Sequence, residues 1–278
     1  MYKIIVIPKN KEMINIECDA ILLGIKNYSV NLPFYIDIDE LEQITKNIKS
    51  EIFISLNKNI HDSEIETLKD ILLKLNNYNI KGVFFYDISI LNLKKKLNLN
   101  YDLVWNQEHF TTNYETINYW FKNGAKYTCL SSEITIKEVI EITNKTSSKL
   151  IMPIFGYIPI MNSRRHLIDN YLKEFDLNKK NGINYIEKEG KTYPIIDDGL
   201  GTTVYTNAPL NGIRDVLSIN TEYVLLNSFL IDEDNFKKIL NMFKTVTVEN
   251  CEEYYNTINS IFNSDTYFLH KETIYKVK

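Results

Sequence analysis

The sequence predicts an α/β fold: a TIM-like (β/α)8 barrel with an inserted β-hairpin region between strands 7 and 8. Short β-branched apolar runs alternate with longer segments of helical period, which is typical of a parallel sheet built from βα units. Eight such runs occur, and about seventy residues separate the seventh run from the eighth. Because βα connections are usually short, an interval of that length predicts an insertion beside the barrel.

The boundaries of the elements follow from these runs and from the helix start signals. Before the fifth predicted helix, the Thr135 hydroxyl and the Glu138 carboxylate stand three residues apart, the signature of a capping box. The predicted strands are Lys3–Ile7, Ala20–Leu23, Glu51–Leu56, Gly82–Tyr86, Leu103–Trp105, Lys126–Leu130, Lys149–Pro153 and Tyr223–Leu226. The predicted helices are Asp39–Lys49, Ser63–Asn76, Ile88–Leu97, Asn113–Lys122, Thr135–Asn144 and Asp232–Phe243.

The insertion has turn signals of its own. Residues 183–196 read as two strands around Glu189-Gly190, and residues 197–201 read as a turn. Residues 267–269 and 273–277 resemble one or two further strands. With no repeat and no Pro/Gly-rich linker, we expect one domain over residues 1–278, with residues 154–222 as an elaboration at the barrel mouth.

The composition of the chain limits the classes of protein to which it can belong. A chain of 278 residues, 44% hydrophobic and 24% charged, can bury a sizeable core. Its formal charge of −4 argues against a large nucleic-acid footprint made by this chain alone. The three cysteines, Cys18, Cys129 and Cys251, are widely spaced, and no run is long enough for a signal peptide or a membrane span. We therefore expect a cytoplasmic protein that does not contact membranes.

In a TIM barrel the active site lies where the strands end at their C-terminal side. Glu108, after the fifth strand, is the predicted general acid or base, and Gln107 and Glu108 are expected beside an aromatic wall formed by Trp105. Gln107 and Glu133, which follows the sixth strand, are the other catalytic candidates. Asn57 and Asn227 follow the third and eighth strands and are predicted ligand-binding residues. Alternatively, Glu108 and Glu133 could only cap the helices that follow them.

The segment after the seventh strand carries two adjacent guanidinium groups. Arg164 and Arg165 could hold a carboxylate or phosphate bidentately, with the Ser163 hydroxyl as a further donor or as a helix cap. Alternatively, one arginine is exposed and the other pairs with an acidic loop. The histidines have no metal-ligand spacing, and neither a Gly-x-Ser-x-Gly elbow nor a glycine-rich phosphate loop is present, so no metal site is predicted.

Phe155-Gly156 and Ser163-Arg164-Arg165 resemble the signature of the collagenase-like peptidase family, U32, which reads His-Gly-Ala-x-Cys, four residues, then Gly-Arg-Cys. Further resemblance lies in residues 106–142, 193–202 and 268–277, the last including Tyr275-Lys276-Val277. The resemblance implies a TIM-barrel-like fold, classification as a peptidase and, in several members, a role in RNA hydroxylation.

Members of the hydroxylase type bind an iron–sulfur cluster through four cysteines. Here Phe155 replaces the signature histidine, while Pro159, His166 and Asn211 stand at cysteine positions. Asn227-Ser228-Phe229 replaces the family's Glu-Gly-Arg after the last strand. Proline offers no donor atom, so an iron–sulfur cluster is not supported and no cofactor is predicted.

These observations lead to one functional prediction and two alternatives. The first is a U32-like protein that binds a small anionic ligand, or an anionic group of a peptide or RNA substrate, at the barrel mouth. It could be a subunit or partner in the hydroxylation of tRNA or rRNA bases, together with another U32-family protein. The alternatives are a U32 peptidase, hence a hydrolase, and a non-catalytic scaffold subunit.

Overall fold

Eight parallel strands close into a barrel surrounded by helices. The structure, a computed structural model, describes residues 2–107, 109–178 and 183–271. Closure is direct, because the first strand pairs with the second on one side and with the last on the other. All eight predicted barrel strands are confirmed. They are β1 (Lys3–Ile7), β2 (Ala20–Ile25), β4 (Glu51–Leu56), β5 (Gly82–Phe85), β6 (Asp102–Asn106), β7 (Tyr127–Cys129), β8 (Lys149–Gly156) and β14 (Tyr223–Asn227).

Aromatic side chains fill the part of the barrel interior near the N-terminal ends of the strands. The ring of Phe53 packs edge to face against Phe84, Tyr127 and Tyr223, with centroids 5.5 to 6.0 Å apart. Each such pair is worth about 0.5–1.5 kcal/mol beyond the area that it buries. The interior is therefore packed at this end, and space remains toward the C-terminal ends.

Helices cover the outside of the barrel, and polar side chains start several of them. The side chain of Asn113 accepts a hydrogen bond from the Thr116 N–H (2.9 Å), and Thr135 with Glu138 forms the predicted capping box. The helices are α1 (Leu41–Asn47), α2 (Ile65–Leu75), α3 (Ile88–Leu97), α4 (Tyr114–Asn123), α5 (Ile136–Thr143), α6 (Leu167–Glu174), α7 (Glu233–Thr245) and α8 (Cys251–Phe262). The sequence did not predict α6 or α8. No described helix has the length and apolar character needed to cross a membrane.

A second, four-stranded antiparallel sheet lies between β8 and β14 in the chain. Its strands are β9 (Pro159–Ser163), β10 (Asn184–Lys188), β11 (Lys191–Asp198) and β12 (Gly201–Tyr205), in the order β10-β11-β12-β9. The predicted hairpin at Glu189-Gly190 is present, and both residues have positive φ. The predicted turn is shorter than expected, because β11 continues through Asp198 and β12 begins at Gly201.

Two short strands and one helical turn complete the described fold. Strand β3 (Tyr35–Ile36) extends the barrel sheet beside β2, and β13 (Leu210–Asn211) pairs antiparallel with β8. The prediction of a strand at residues 267–269 is wrong, because residues Tyr267–His270 form a 3-10 helix. Leu269 is buried in the core there. An apolar residue that is buried from a helical turn resembles the apolar residue of a strand in the sequence. The expected strand at 273–277 lies outside the described residues.

Hydrogen bonds connect the second sheet to segments at the C-terminal end of the barrel. Asn162 on β9 donates to the Asn31 side chain (2.8 Å), and Arg164 donates to the Asn59 carbonyl (3.0 Å). The Tyr35 hydroxyl donates to the Asp198 carboxylate (3.1 Å). Since Asn31 and Asn59 follow β2 and β4, the sheet covers the edge of the barrel mouth.

Candidate functional site

The barrel mouth contains an inner cavity of about 90 Å³. Its floor is the Phe84 ring, and its polar lining comes from side chains at strand ends. These include Ser55, Asn57, Asn106, Cys129 and Asn227. Apolar side chains such as Leu22 and Leu225 complete the wall, so a small group that entered this cavity would meet few hydrogen-bonding partners.

Two predicted binding residues, Asn57 and Asn227, are buried and hydrogen-bonded to backbone. The Asn57 side chain donates to the Val30 carbonyl (3.0 Å) and accepts from the Val30 N–H (2.9 Å). Asn227 donates to the Tyr157 carbonyl (3.2 Å) and accepts from the Phe229 N–H (3.0 Å). Their amides therefore fix the loops around the cavity. Direct ligand binding by either one stays a prediction.

Gly156 ends β8 in a conformation that only glycine adopts readily. Its φ is +110°, and a Cβ atom there would lie 2.3 Å from the carbonyl oxygen of Asn227. The absence of a side chain lets the backbones of β8 and β14 approach each other at the cavity wall. The glycine that the sequence singled out thus has a structural role at the mouth.

An outer cleft of about 290 Å³ opens above the inner cavity. Its lining is dominated by carboxamide side chains, which carry no charge but offer both donors and acceptors. The lining residues are Val30, Asn31, Asn57, Asn59, Tyr86, Asn106, Gln107, His109 and Asn162. The inner cavity and the outer cleft share Asn31, Asn57 and Asn106, so the two spaces adjoin along this set.

Gln107 was expected at the barrel mouth, and it lines the outer cleft. Its carbonyl accepts hydrogen bonds from the Thr111 N–H and hydroxyl (3.3 and 3.1 Å), which turn the loop back toward α4. The prediction of Trp105 as an aromatic wall beside it is wrong. Trp105 points out of the barrel and stacks on Trp120 at 3.8 Å, because side chains alternate along β6. Glu108 lies outside the described residues.

His109 and Glu133 form a pair that the sequence did not bring together. The Glu133 carboxylate lies 3.0 Å from His109 Nδ1, and each side chain is somewhat under half exposed. An ionised carboxylate can only accept, so Nδ1 carries the proton in this contact and Nε2 is the acceptor of a neutral ring. No capping hydrogen bond from the Glu133 side chain is seen among the described residues.

Arg164 and Arg165 have different surroundings. Arg164 Nη1 donates to the Asn59 carbonyl (3.0 Å) and lies 2.9 Å from His61 Nε2, so its side chain holds the loop after β4. Arg165 is exposed, and its guanidinium has no hydrogen-bond partner within the part of the chain that the structure describes. The Ser163 hydroxyl accepts from the Arg165 N–H (3.2 Å) and does not cap α6.

An ion pair of Lys58 and Glu64 lies near Arg164. The Lys58 ammonium pairs with the Glu64 carboxylate and sits 5.2 Å from the centre of the Tyr28 ring. The hydrogen bond from Lys58 and one from the His61 N–H lower the pKa of Glu64, and the charge of Arg164 adds to the effect. Lys58 is almost fully buried and paired, so this cation is not available to a ligand at the mouth.

Among the described residues, His166, Asp169 and Asp197 form one group compact enough to hold a metal ion. The Asp197 carboxylate is already used, because it accepts from His166 Nδ1 (2.7 Å) and from the N–H groups of Ile168 and Asp169 (3.0 and 3.3 Å). A carboxylate at the start of α6 is favourable for the helix dipole. These contacts explain the group as a support for α6, and we assign no metal to it.

The fold and the mouth define a TIM-barrel protein whose site is built from hydrogen-bonding side chains on the loops after the strands. Residues 7–184 match the profile of peptidase family U32, and the chain belongs to this family. The resemblance to this family that the sequence predicts is thus confirmed.

Two curated proteins of Bacillus subtilis (strain 168) are similar to this chain. The tRNA hydroxylation protein P2 is 24% identical over 284 residues, which cover 92% of each chain. The tRNA hydroxylation protein P1 is 22% identical over 177 residues, 62% of this chain and 42% of P1. Among solved structures, the U32 peptidase Mk0906 aligns with a TM-score of 0.54 and 13% identity over 82% of this chain and 92% of that one.

The residues at the family's cluster positions do not fit a four-cysteine iron–sulfur cluster. Pro159 has no donor atom, and His166 is bound to Asp197. The buried Asn211 side chain donates to the Ser264 hydroxyl (3.1 Å). The three cysteines are far apart in the fold. Cys18 lies before β2 at the N-terminal end of the barrel, Cys129 ends β7, and Cys251 starts α8. We therefore derive no chemistry through a cluster.

Proposed function

We propose that this chain takes part in tRNA hydroxylation and that its barrel mouth contacts the RNA. The observation that carries the proposal is the match to the tRNA hydroxylation protein P2 over 92% of both chains, because it includes the barrel and the insertion together. In this proposal residues 1–278 act as one domain, with residues 154–222 as its elaboration, and the protein is cytoplasmic.

The geometry of the mouth supports RNA as the occupant. Carboxamides recognise base edges. Arg165 follows Arg164, which contacts the cleft residue Asn59, and its exposed guanidinium is the proposed partner of a phosphate or another anionic group. Gln107, Glu108 and Glu133 are the proposed polar groups at the reacting end. Arg164 contributes indirectly, since it fixes Asn59 in the cleft wall.

We further propose that a second U32-family protein acts with this chain. Two separately numbered tRNA hydroxylation proteins of one organism are similar to it. The formal charge of −4 also leaves the chain without a broad positive field for a long polyanion. A partner that supplies basic surface would strengthen binding to tRNA, and it could carry the redox chemistry that this chain's cysteines do not support.

Disruption of the gene in its own organism tests the proposal. Total tRNA from the disrupted and parent strains would be digested to nucleosides, and hydroxylated nucleosides would be quantified by mass spectrometry. The expected result is a loss of at least one hydroxylated nucleoside that returns when the intact gene is restored. Unchanged levels of every hydroxylated nucleoside would overturn the proposed function.

A further inference from the structure

The carboxamide of Asn106 occupies a distinctive place where the outer cleft meets the inner cavity. Three asparagines line both spaces: Asn31, Asn57 and Asn106. The amide of Asn57 is saturated by the Val30 backbone. The Asn31 carbonyl oxygen accepts from Asn162 (2.8 Å) and from the Thr203 hydroxyl (3.0 Å). These two side chains are parts of the wall.

Asn106 is different, because its amide has no hydrogen-bond partner in residues 2–107, 109–178 and 183–271. The backbone of Asn106 is fixed by pairing with Cys129 at the end of β6. Alternation along the strand turns its side chain into the barrel, opposite to that of Trp105. A half-buried amide on a rigid strand end, with both of its functions unused, is preorganised for an occupant of the cleft.

The chemistry of this amide defines the class of occupant. A carboxamide presents one acceptor and two donors in a plane, so it pairs with a planar group that carries a donor next to an acceptor. Base edges have this pattern, and paired contacts from asparagine to a base edge discriminate strongly between bases. In single-stranded RNA the bases can leave the stack and expose such edges.

We propose that Asn106 is a specificity-determining residue, which recognises the edge of one unpaired nucleobase inserted into the outer cleft. The proposal rests on the proposed function, in which RNA occupies the mouth. Gln107 also lines the cleft, and its side-chain amide has no hydrogen-bond partner among the described residues. In this proposal it contacts the same base from the rim of the cleft. Asn57 has a different role, because it shapes the wall and does not touch the base.

Binding of the purified full-length chain to a set of labelled RNA hairpins tests this proposal. Each hairpin has the same stem and a loop of abasic residues. Four carry a single uracil, cytosine, adenine or guanine in that loop, and the fifth carries none. Wild-type protein should bind the best single-base hairpin about tenfold or more tighter than the fully abasic one, since a bidentate base contact gives discrimination of that order.

Three variants isolate Asn106. Asn106→Ala should remove the preference for a base while the melting temperature stays unchanged, because it breaks no hydrogen bond within the described residues. Asn57→Ala should lower the melting temperature, because it leaves two backbone groups of Val30 without partners. Asn106→Asp, which can only accept, should shift the preference toward guanine, whose edge has adjacent donors. Asn92→Ala, on the exposed face of α3, is the matched control and should behave as wild type.

Each result of the hairpin binding measurements either supports or overturns the role of Asn106. If the wild-type chain binds all five hairpins equally, or if Asn106→Ala keeps the base preference, the inference is overturned while RNA binding and the proposed function stand. If the wild-type chain binds none of the hairpins, the inference fails together with RNA contact at the mouth. Loss of the base preference in Asn106→Ala, with unchanged stability, supports the inference.

Discussion

Replacement of Gly156 by alanine should destabilise the protein strongly. Two costs add at this position. A non-glycine residue at a φ of +110° is strained by about 1–3 kcal/mol. The new Cβ would also lie 2.3 Å from the Asn227 carbonyl oxygen and 2.8 Å from its Cβ atom, and forced repacking of this kind costs about 1–3 kcal/mol. The expected loss of unfolding free energy is therefore about 2–6 kcal/mol.

Thermal unfolding, followed by circular dichroism, measures this loss. For a chain of this size about 1 kcal/mol lowers the melting temperature by about 2–4 °C, so Gly156→Ala should lower it by roughly 4–24 °C. Gly190→Ala is the matched control, because Gly190 also has positive φ (+73°) but no atom within 4 Å of a Cβ there. It should cost only the strain of the left-handed conformation, about 1–2 kcal/mol. Equal melting temperatures for the two variants would refute the role of the contact with Asn227.

Three further outcomes follow from other parts of the structure. Phe53→Ala should reduce the unfolding free energy by about 3–5 kcal/mol in chemical denaturation, because it opens a void among three aromatic rings; a loss below about 1 kcal/mol would contradict a packed interior. Burial raises the pKa of Glu51, but hydrogen bonds from Lys81 and from a tyrosine hydroxyl outweigh burial and hold the pKa below its ordinary value. The stability from these contacts is present above the unfolded-state pKa of about 4.3 and is lost as pH falls through the lower folded-state pKa. Glu51→Gln should therefore make the melting temperature less sensitive to acid, and an unchanged pH profile would contradict this. Arg165→Ala should weaken binding of tRNA and reduce the slope of log affinity against log salt concentration by about one, while the melting temperature stays unchanged. Arg164→Ala should instead lower the melting temperature, because it loses the hydrogen bond to Asn59. The reverse pattern would contradict the roles assigned to the two arginines.

The barrel could be predicted from the sequence because its strands are continuous β-branched runs that are buried on both faces. β2 and β14, for example, are buried along their whole length. β9 could not be predicted in this way, because most of its side chains are exposed and it is held by pairing with β12, about forty residues further along the chain. Helix α6 depends on Asp197 from β11, so its start signal is absent from its own sequence.

The site was predicted in part for a similar reason. The C-terminal ends of the strands locate the mouth, and Gln107, Asn57 and Asn227 do line its spaces. Which amides are already paired depends on loops distant in sequence, such as Val30 for Asn57. The sequence places Asn106, His109 and Glu133 after strands, but for this reason it does not distinguish Asn106 from the other amides or show that His109 contacts Glu133. Side-chain alternation along β6, by contrast, does predict that Trp105 faces outward and Asn106 faces the barrel interior.

We propose that RNA occupies the mouth of this barrel, and cross-linking locates the RNA directly. tRNA from the source organism would be irradiated with the full-length chain, and the cross-linked peptides would be identified by mass spectrometry. We expect cross-links at the C-terminal ends of β4, β5 and β6 and in the segments that follow, at residues 57–61, 86–87, 106–107 and 109–110. Cross-links confined to the opposite end of the barrel, around Lys3, Lys81 and Lys149, would contradict it.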